Sequence, residues 1–182
     1  MFDDSDAEFH PCRPNQLNWA ETNFFGFYNA EAHLNIGVYT LFRPNLGVVS
    51  SSICMNSQRA LTPWGADFCD YQTALAIPDP RSLLDYELAN SLHIRCTDPN
   101  RTWHITYDDG EGTSIDVHYR ALMVPFDIHD PAQDPMCATG TEAGQFSWGT
   151  AYDGHFDQTG HFSGEVHLRG TRYAIDCVST MD

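Results

Sequence analysis

The sequence contains no lysine, and all nine of its basic residues are arginines. A lysine Schiff base, a P-loop lysine and a lysine general base are therefore excluded as catalytic devices. The formal net charge is -16. No nucleic-acid partner is expected at this charge, and an anionic membrane surface is disfavoured, because both need a basic face on the protein.

Long apolar runs and closely spaced cysteine pairs are also missing. No run approaches the about 18 residues of a membrane-spanning helix, so no membrane span is expected. The six cysteines show no CxxC spacing, and the N-terminal residues are acidic without an apolar stretch. We expect a cytoplasmic protein whose cysteines are reduced and act mostly as small buried hydrophobic residues.

What the sequence does contain is a series of short apolar and aromatic runs separated by turn residues. Hydrophobic residues make up 42% of the chain, which is typical of a packed core. The clearest signal is a hairpin that joins 102–107 to 114–122 through a loop containing Gly110 and Gly112. We expect both glycines to lie in an exposed loop.

Nine or ten short strands are predicted, and no long segment has the period of a helix. This spacing is typical of an antiparallel sandwich or barrel, so we predict an all-β fold. Within 87–95 the alternation of apolar and polar residues favours one strand over a helix. The predicted strands cover 19–28, 36–43, 48–55, 68–77, 87–95, 102–107, 114–122, 161–169 and 172–178.

Several short motifs follow one another in a characteristic order. They are Trp19-Ala20-Glu21, Arg43-Pro44-Asn45, Pro99-Asn100-Arg101-Thr102-Trp103, Gly154-His155-Phe156-Asp157-Gln158, and a closing Gly164-Glu165-Val166 with Gly170-Thr171-Arg172-Tyr173-Ala174-Ile175-Asp176. In this order the chain resembles the lipocalin-like family that includes carotenoid 1,2-hydratase (hydroxyneurosporene synthase) and the AttH-like proteins.

The resemblance implies an antiparallel lipocalin-like barrel or sandwich that is the first of two similar halves. On this interpretation 1–17 is an acidic lead-in, 18–150 is a lipocalin-like β-domain, and 151–182 is a closing hairpin that leads towards a missing second half. We would then expect the last strand to have an exposed edge, and the chain to dimerise or aggregate.

The resemblance also implies catalytic roles for Asp182 and His155. In the carotenoid hydratases an aspartate at the position of Asp182 is proposed to protonate a double bond. The family also has a histidine before the strand that follows His155 in this sequence. The hydratase pattern has a tyrosine two residues before this aspartate, where this sequence has Thr180. Protonating an alkene needs a carboxyl that is kept neutral by burial. Because Asp182 is the last residue, we expect its carboxyl to lie in water and the isolated chain to be inactive.

Six further residues are candidates for ligand binding. The aromatic ones belong either to the core or to the wall of a cavity, since apolar pockets are built from such side chains. Glu21 and Arg43 are expected on neighbouring strands, where they can fasten the strands together or anchor a ligand. The six candidates are Trp19, Glu21, Phe25, Arg43, Trp103 and Trp148.

These features support a cofactor-independent acid–base enzyme that hydrates, isomerises or cyclises a hydrophobic terpenoid, steroid or polyketide-like small molecule. An alternative is a non-catalytic carrier with the same cavity. A third hypothesis is a metal-dependent enzyme that uses His155, Asp157 and His161. The site that we favour needs no metal. A buried carboxyl beside His155 would favour the enzyme, whereas a smooth apolar pocket without ionisable groups would favour the carrier.

Overall fold

The computed structural model describes residues 3–134 and 154–182. These residues form one antiparallel β-sheet that curls into a half-barrel, which confirms the predicted all-β fold. Within the two described ranges there is no α-helix, only short 3₁₀ turns at Asp4–Ala7 and Pro63–Gly65.

The described strands number eleven, slightly more than predicted. Several extend past the predicted limits, and the longest, β10, begins five residues before the predicted 161. The strands are β1 (Glu21–Asn29), β2 (Leu34–Arg43), β3 (Val48–Asn56), β4 (Phe68–Ala76), β5 (Asp85–Glu87), β6 (His93–Asp98), β7 (Thr102–Asp108), β8 (Ser114–Ala121), β9 (Phe126–Asp127), β10 (Phe156–Leu168) and β11 (Thr171–Met181).

The strand order in the sheet is β4-β3-β2-β1-β11-β10-β8-β7-β6-β5, and β9 pairs with β10. The last strand, β11, therefore lies between β10 and β1. Its end pairs with β1 through Phe25 opposite Met181, and the backbones of Phe24 and Asp182 exchange hydrogen bonds of 2.5 and 2.9 Å. The expectation that the terminal strand has a free edge at this end is therefore wrong, because β1 covers it.

Alternating side chains give the sheet one buried face and one polar face, as the strand period requires. On β8 the inward residues Ile115, Val117 and Tyr119 are buried, while Asp116 and His118 are exposed on the other face. Gly110 and Gly112 lie exposed in the loop before β8, as predicted.

Hydrogen bonds across the interior show how the sheet curls. Tyr86 on β5, one end of the strand order, bonds to Thr40 on β2 at 2.8 Å and accepts from Asn23 on β1 at 3.1 Å. The edge strand β4 is held in the same way, since Asp70 accepts from Asn90 at 2.8 Å. The two ends of the sheet therefore approach each other around one core.

The predicted strand over 87–95 is wrong, because a turn divides it into β5 and β6. Leu88 N donates to Leu92 O at 2.8 Å, and Ser91 has a φ of 63°. Leu88 and Leu92 are both buried. A tight turn between two buried leucines thus reproduces the alternation that suggested a continuous strand.

The acidic lead-in packs closely on the sheet. The rings of Phe9 and Phe42 meet edge to face at 5.3 Å. The Glu8 carboxylate accepts from Ser82 Oγ at 2.6 Å and from Leu83 N at 2.7 Å. These contacts hold the first residues against the end of the sheet where β1 begins.

Five of the six cysteines lie in the described part of the chain, and all five are free thiols. Cys177 is buried, but the other four are half-buried, so the expectation of mostly buried cysteines is wrong for them. Cys137 lies outside the described residues. No helix within the described ranges is long and apolar enough to cross a membrane.

Candidate functional site

A cavity of about 760 Å³ lies at the end of the sheet where β1 begins and β11 ends. Its wall combines aromatic side chains with several ionisable ones. Five predicted site residues meet there, and the lead-in, β2 and the segment around β9 complete the wall. The five are Trp19, Glu21, Trp103, His155 and Asp182.

Asp182 and His155 form the titratable pair of the cavity. Asp182 Oδ1 lies 3.4 Å from His155 Nδ1, and the two side chains are only 28% and 18% exposed. Asp157 lies on the other side of the imidazole, with Oδ2 3.8 Å from Nε2, and is more exposed. His155 is thus placed between a half-buried carboxyl and a solvated one.

Burial raises the pKa of Asp182 above its ordinary value. The neighbouring His155 acts in the opposite direction, and the negative charge of Asp157 adds to the rise. The expectation that Asp182 lies in water and cannot have a raised pKa is therefore wrong. The cavity wall removes solvent from the carboxyl, and this shifts its equilibrium towards the neutral acid.

Glu21 ties the lead-in to the cavity. Its carboxylate accepts from Trp19 Nε1 at 2.9 Å and from His10 N at 3.1 Å. The His10 ring also lies 3.2 Å from Glu21 and 3.4 Å from Asp6. Burial alone would lower the pKa of His10, but these two carboxylates outweigh it and raise the pKa.

This contact gives a pH prediction. In Glu21→Gln, the titration midpoint of His10 should move to lower pH, because the main attraction for the imidazolium is lost. In the native chain the His10 contribution to stability is fully present below its unfolded pKa and is lost as pH rises through the raised folded value. Histidine ring NMR titration measures the midpoint.

Glu165→Gln is the matched control, because Glu165 lies 3.4 Å from His167 on β10 and does not contact His10. In this variant the titration midpoint of His10 should equal that of the native chain. An unchanged His10 midpoint in Glu21→Gln would contradict the assigned contact.

Trp103 brings an unsatisfied donor to the cavity wall. The side chain is 2% exposed, and its Nε1 has no hydrogen-bond partner among the described residues. Buried indole N–H groups usually have a partner. This donor is therefore a buried polar group for which the described residues supply no acceptor.

The remaining predicted residues are placed elsewhere. Phe25 is fully buried and packs against Trp103 at 5.8 Å, so it supports the wall from behind without lining it. Arg43 donates to Asn18 O at 2.6 Å and forms no ion pair with Glu21. Trp148 lies outside the described residues.

Sequence reasoning missed several residues of the wall. His10 and Asp6 fall in the predicted acidic lead-in, and Asp127 and His129 lie outside every predicted strand, yet all four line the cavity. The only signal for the first two was an acidic segment with one histidine, which does not reveal that it folds back onto the sheet.

Two groups of side chains among the described residues could hold a metal ion. One is His155, Asp157 and Asp182, whose ligand atoms all lie within 4.8 Å of one another. The other lies on β7 and β8 and consists of His104, Asp116 and His118. His161, named in the metal hypothesis, bonds instead to Asp176 at 2.6 Å.

The fold and the site define an all-β protein with a carboxyl–imidazole pair at the end of a curled antiparallel sheet. The family described as Domain of unknown function (DUF7064) matches residues 3–182, and the chain belongs to this family. No curated protein and no solved structure matches the chain significantly.

Proposed function

We propose that this protein is a cofactor-independent acid–base enzyme that hydrates, isomerises or cyclises a hydrophobic small molecule with a carbon–carbon double bond. The observation that carries the proposal is the half-buried Asp182 carboxyl, with its raised pKa, 3.4 Å from His155. This is the arrangement that favours an enzyme over a carrier with a smooth apolar pocket.

The proposed chemistry begins with the neutral Asp182 carboxyl. It donates its proton to one alkene carbon, and the other carbon becomes a carbocation. Trp19 and Trp103 lie in the cavity wall, and their aromatic rings would stabilise that positive charge. The Asp182 carboxylate that remains is negative and stabilises it as well.

The second step needs a base, and His155 is the candidate. In a hydration, water adds to the carbocation while the imidazole takes the released proton. In an isomerisation or a cyclisation, the imidazole takes a proton from a carbon next to the cation. The proton can then return to Asp182, 3.4 Å away, so the cycle closes without a cofactor.

The charges of the wall limit the substrate class. The described residues that line the cavity include four carboxylates and no arginine. An anionic ligand is therefore disfavoured, whereas a neutral molecule with an apolar body fits. The free Trp103 N–H favours a hydroxyl or carbonyl oxygen on that molecule.

The resemblance to carotenoid 1,2-hydratases supports the same chemistry, because Asp182 and His155 occupy matching positions in the ordered motifs. The Thr180 departure and the limited size of the cavity favour a substrate smaller than a long polyene. A cytoplasmic location, and either dimerisation or a second half, remain predictions from the sequence.

A carrier is the second candidate. The cavity volume of about 760 Å³ is within the range of small-molecule sites. This volume favours binding whether or not chemistry follows.

The experiment is a conversion assay with the full chain. The probes are farnesol and pregnenolone, a terpenoid and a steroid that each have a double bond and a hydroxyl. Mass spectrometry distinguishes hydration, which adds one water, from isomerisation or cyclisation, which keeps the mass and changes retention. Quenching of tryptophan fluorescence reports binding.

We expect binding and a converted product for at least one probe. Saturable binding without any product would contradict the enzyme and support the carrier. Absence of both binding and conversion would contradict both candidates for these two ligand classes.

A further inference from the structure

The polar face of the sheet carries histidines paired with carboxylates. On β5 to β11 there are four such pairs, and in three of them a single histidine meets an acid. The distances are 2.7 Å for His93–Asp85, 2.7 Å for His104–Asp116, 2.6 Å for His161–Asp176 and 3.4 Å for His167–Glu165.

The pair on β7 and β8 differs, because a second imidazole joins it. His104 and His118 are direct partners in the antiparallel register, and their rings stack at 4.1 Å with an interplanar angle of 9°. Asp116 Oδ1 lies 2.7 Å from His104 Nε2. One ligand atom from each of the three residues lies within 4.8 Å of the other two.

This geometry is close to that of a coordination site. Ligands about 2.0–2.1 Å from a tetrahedral zinc ion lie about 3.3 Å from one another. The His104–Asp116 contact is already shorter than this, and a modest side-chain rotation brings His118 within range. The strand register fixes the three backbone positions, so little further ordering is needed.

We propose that His104, Asp116 and His118 bind a divalent transition metal of the zinc class on this face of the sheet. Imidazole nitrogens and one carboxylate suit zinc better than magnesium or calcium, which prefer oxygen ligands. The ion takes the place of the proton shared by His104 and Asp116. Because the site is open to solvent, water completes the coordination.

Neighbouring strands add charges of both signs. Arg95 on β6 lies opposite His104, and Glu165 on β10 lies opposite Asp116. Arg95 is held in turn by Asp85 at 3.8 Å, and Arg120 follows His118 on the same face of β8. The positive charges of the two arginines disfavour binding of a cation, and the negative charges of the neighbouring acids reduce this effect.

Metal binding at these histidines must compete with protons, because an imidazole nitrogen binds the ion only when it carries no proton.

Calorimetric titration of the full chain, without a histidine tag, with Zn²⁺ at pH 7.5 tests the site. His118→Ala should lose one equivalent of bound zinc or bind it at least about 100-fold more weakly. Loss of a residue that only orients a ligand typically weakens metal binding by no more than about 100-fold. Asp116→Asn, which keeps the side-chain shape, should weaken the same equivalent. His161→Ala is the control, since it removes a paired histidine from the same face.

Histidine ring NMR identifies the ligands independently of stoichiometry. Zinc should shift the ring signals of His104 and His118 and leave those of His161 in place. An equivalent lost only in Asp182→Asn would assign zinc to the cavity cluster and overturn the proposal. Zinc binding that is unchanged in both His118→Ala and Asp116→Asn would also overturn it.

Discussion

Replacing Asp182 by asparagine is expected to lower turnover of the alkene substrate by about 10³-fold, because the neutral amide cannot donate the proton that starts the reaction. Asparagine has nearly the same shape as aspartate, so the cavity and its ligand affinity should be retained. Turnover is measured with whichever probe the native chain converts, and binding is followed by tryptophan fluorescence. A loss of binding equal to the loss of turnover would contradict a role in proton transfer.

The matched control is Asp157→Asn. Asp157 contacts the opposite side of His155 at 3.8 Å but is 51% exposed. It should therefore change turnover by less than about tenfold, well below the contribution of a general acid. Equal losses in the two variants would indicate that the carboxylates act only through the orientation of His155.

The pH dependence has a definite sign. Asp182 acts while protonated, so turnover should fall as pH rises through its raised pKa. Stability follows the same direction, because the pKa of Asp182 is higher in the folded chain than in the unfolded chain. Its contribution to the free energy of unfolding is complete below the unfolded pKa and is lost as the pH rises through the folded pKa. Relative to the native chain, Asp182→Asn should therefore gain stability as the pH rises.

The sheet could be predicted well because its signals are local. Alternation at Ile115, Val117 and Tyr119, together with glycines at the turn, defines the β7–β8 hairpin within a few residues. Strand period and turn chemistry act over short distances, so they can be identified in the sequence. The turn between Leu88 and Leu92 was not predicted, because its two leucines keep the apolar–polar alternation of a strand.

The site could be predicted only in part. Asp182, His155 and Trp103 were identified by their place in a series of motifs, since no local pattern brings them together. His10 and Asp6 reach the cavity because the lead-in folds back onto the sheet. That contact depends on tertiary packing and not on any spacing in the sequence.

Long-range register also explains the stacked imidazoles. His104 and His118 are 14 positions apart in the sequence, and they meet because the hairpin loop sets β7 against β8 in one register. The hairpin was predicted, but the pairing of these two residues was not. Combining the predicted loop with strand alternation could have revealed it.

Gly160 is a position where a single added methyl group should be costly. It lies in the middle of β10, which is hydrogen-bonded to β8 and β11 on its two sides. A Cβ at this position would lie 2.0 Å from Tyr119 Cε2 and 2.3 Å from Cζ. The Tyr119 ring is buried and bonds to Gln158 Oε1 at 3.0 Å, so it cannot move aside easily.

Gly160→Ala is therefore expected to lower the free energy of unfolding by about 3 kcal/mol, the upper part of the usual range for overpacking. In a domain of this size that corresponds to a fall in Tm of roughly 6–12 °C. Gly37→Ala is the matched control, because Gly37 also lies inside a paired strand and its added methyl would meet Phe24 at an ordinary 3.7 Å. It should be neutral or slightly stabilising.

A double-mutant cycle identifies the cause of the Gly160 effect. In a Tyr119→Ala background the ring is gone, so the added methyl has room, and Gly160→Ala should cost far less than in the native chain. Tyr119→Ala is itself destabilising, since it leaves a cavity in the core, but it still provides the reference for the cycle. Equal costs in both backgrounds, measured by denaturant unfolding, would show that the ring is not the obstacle and that Tyr119 does not pack against Gly160.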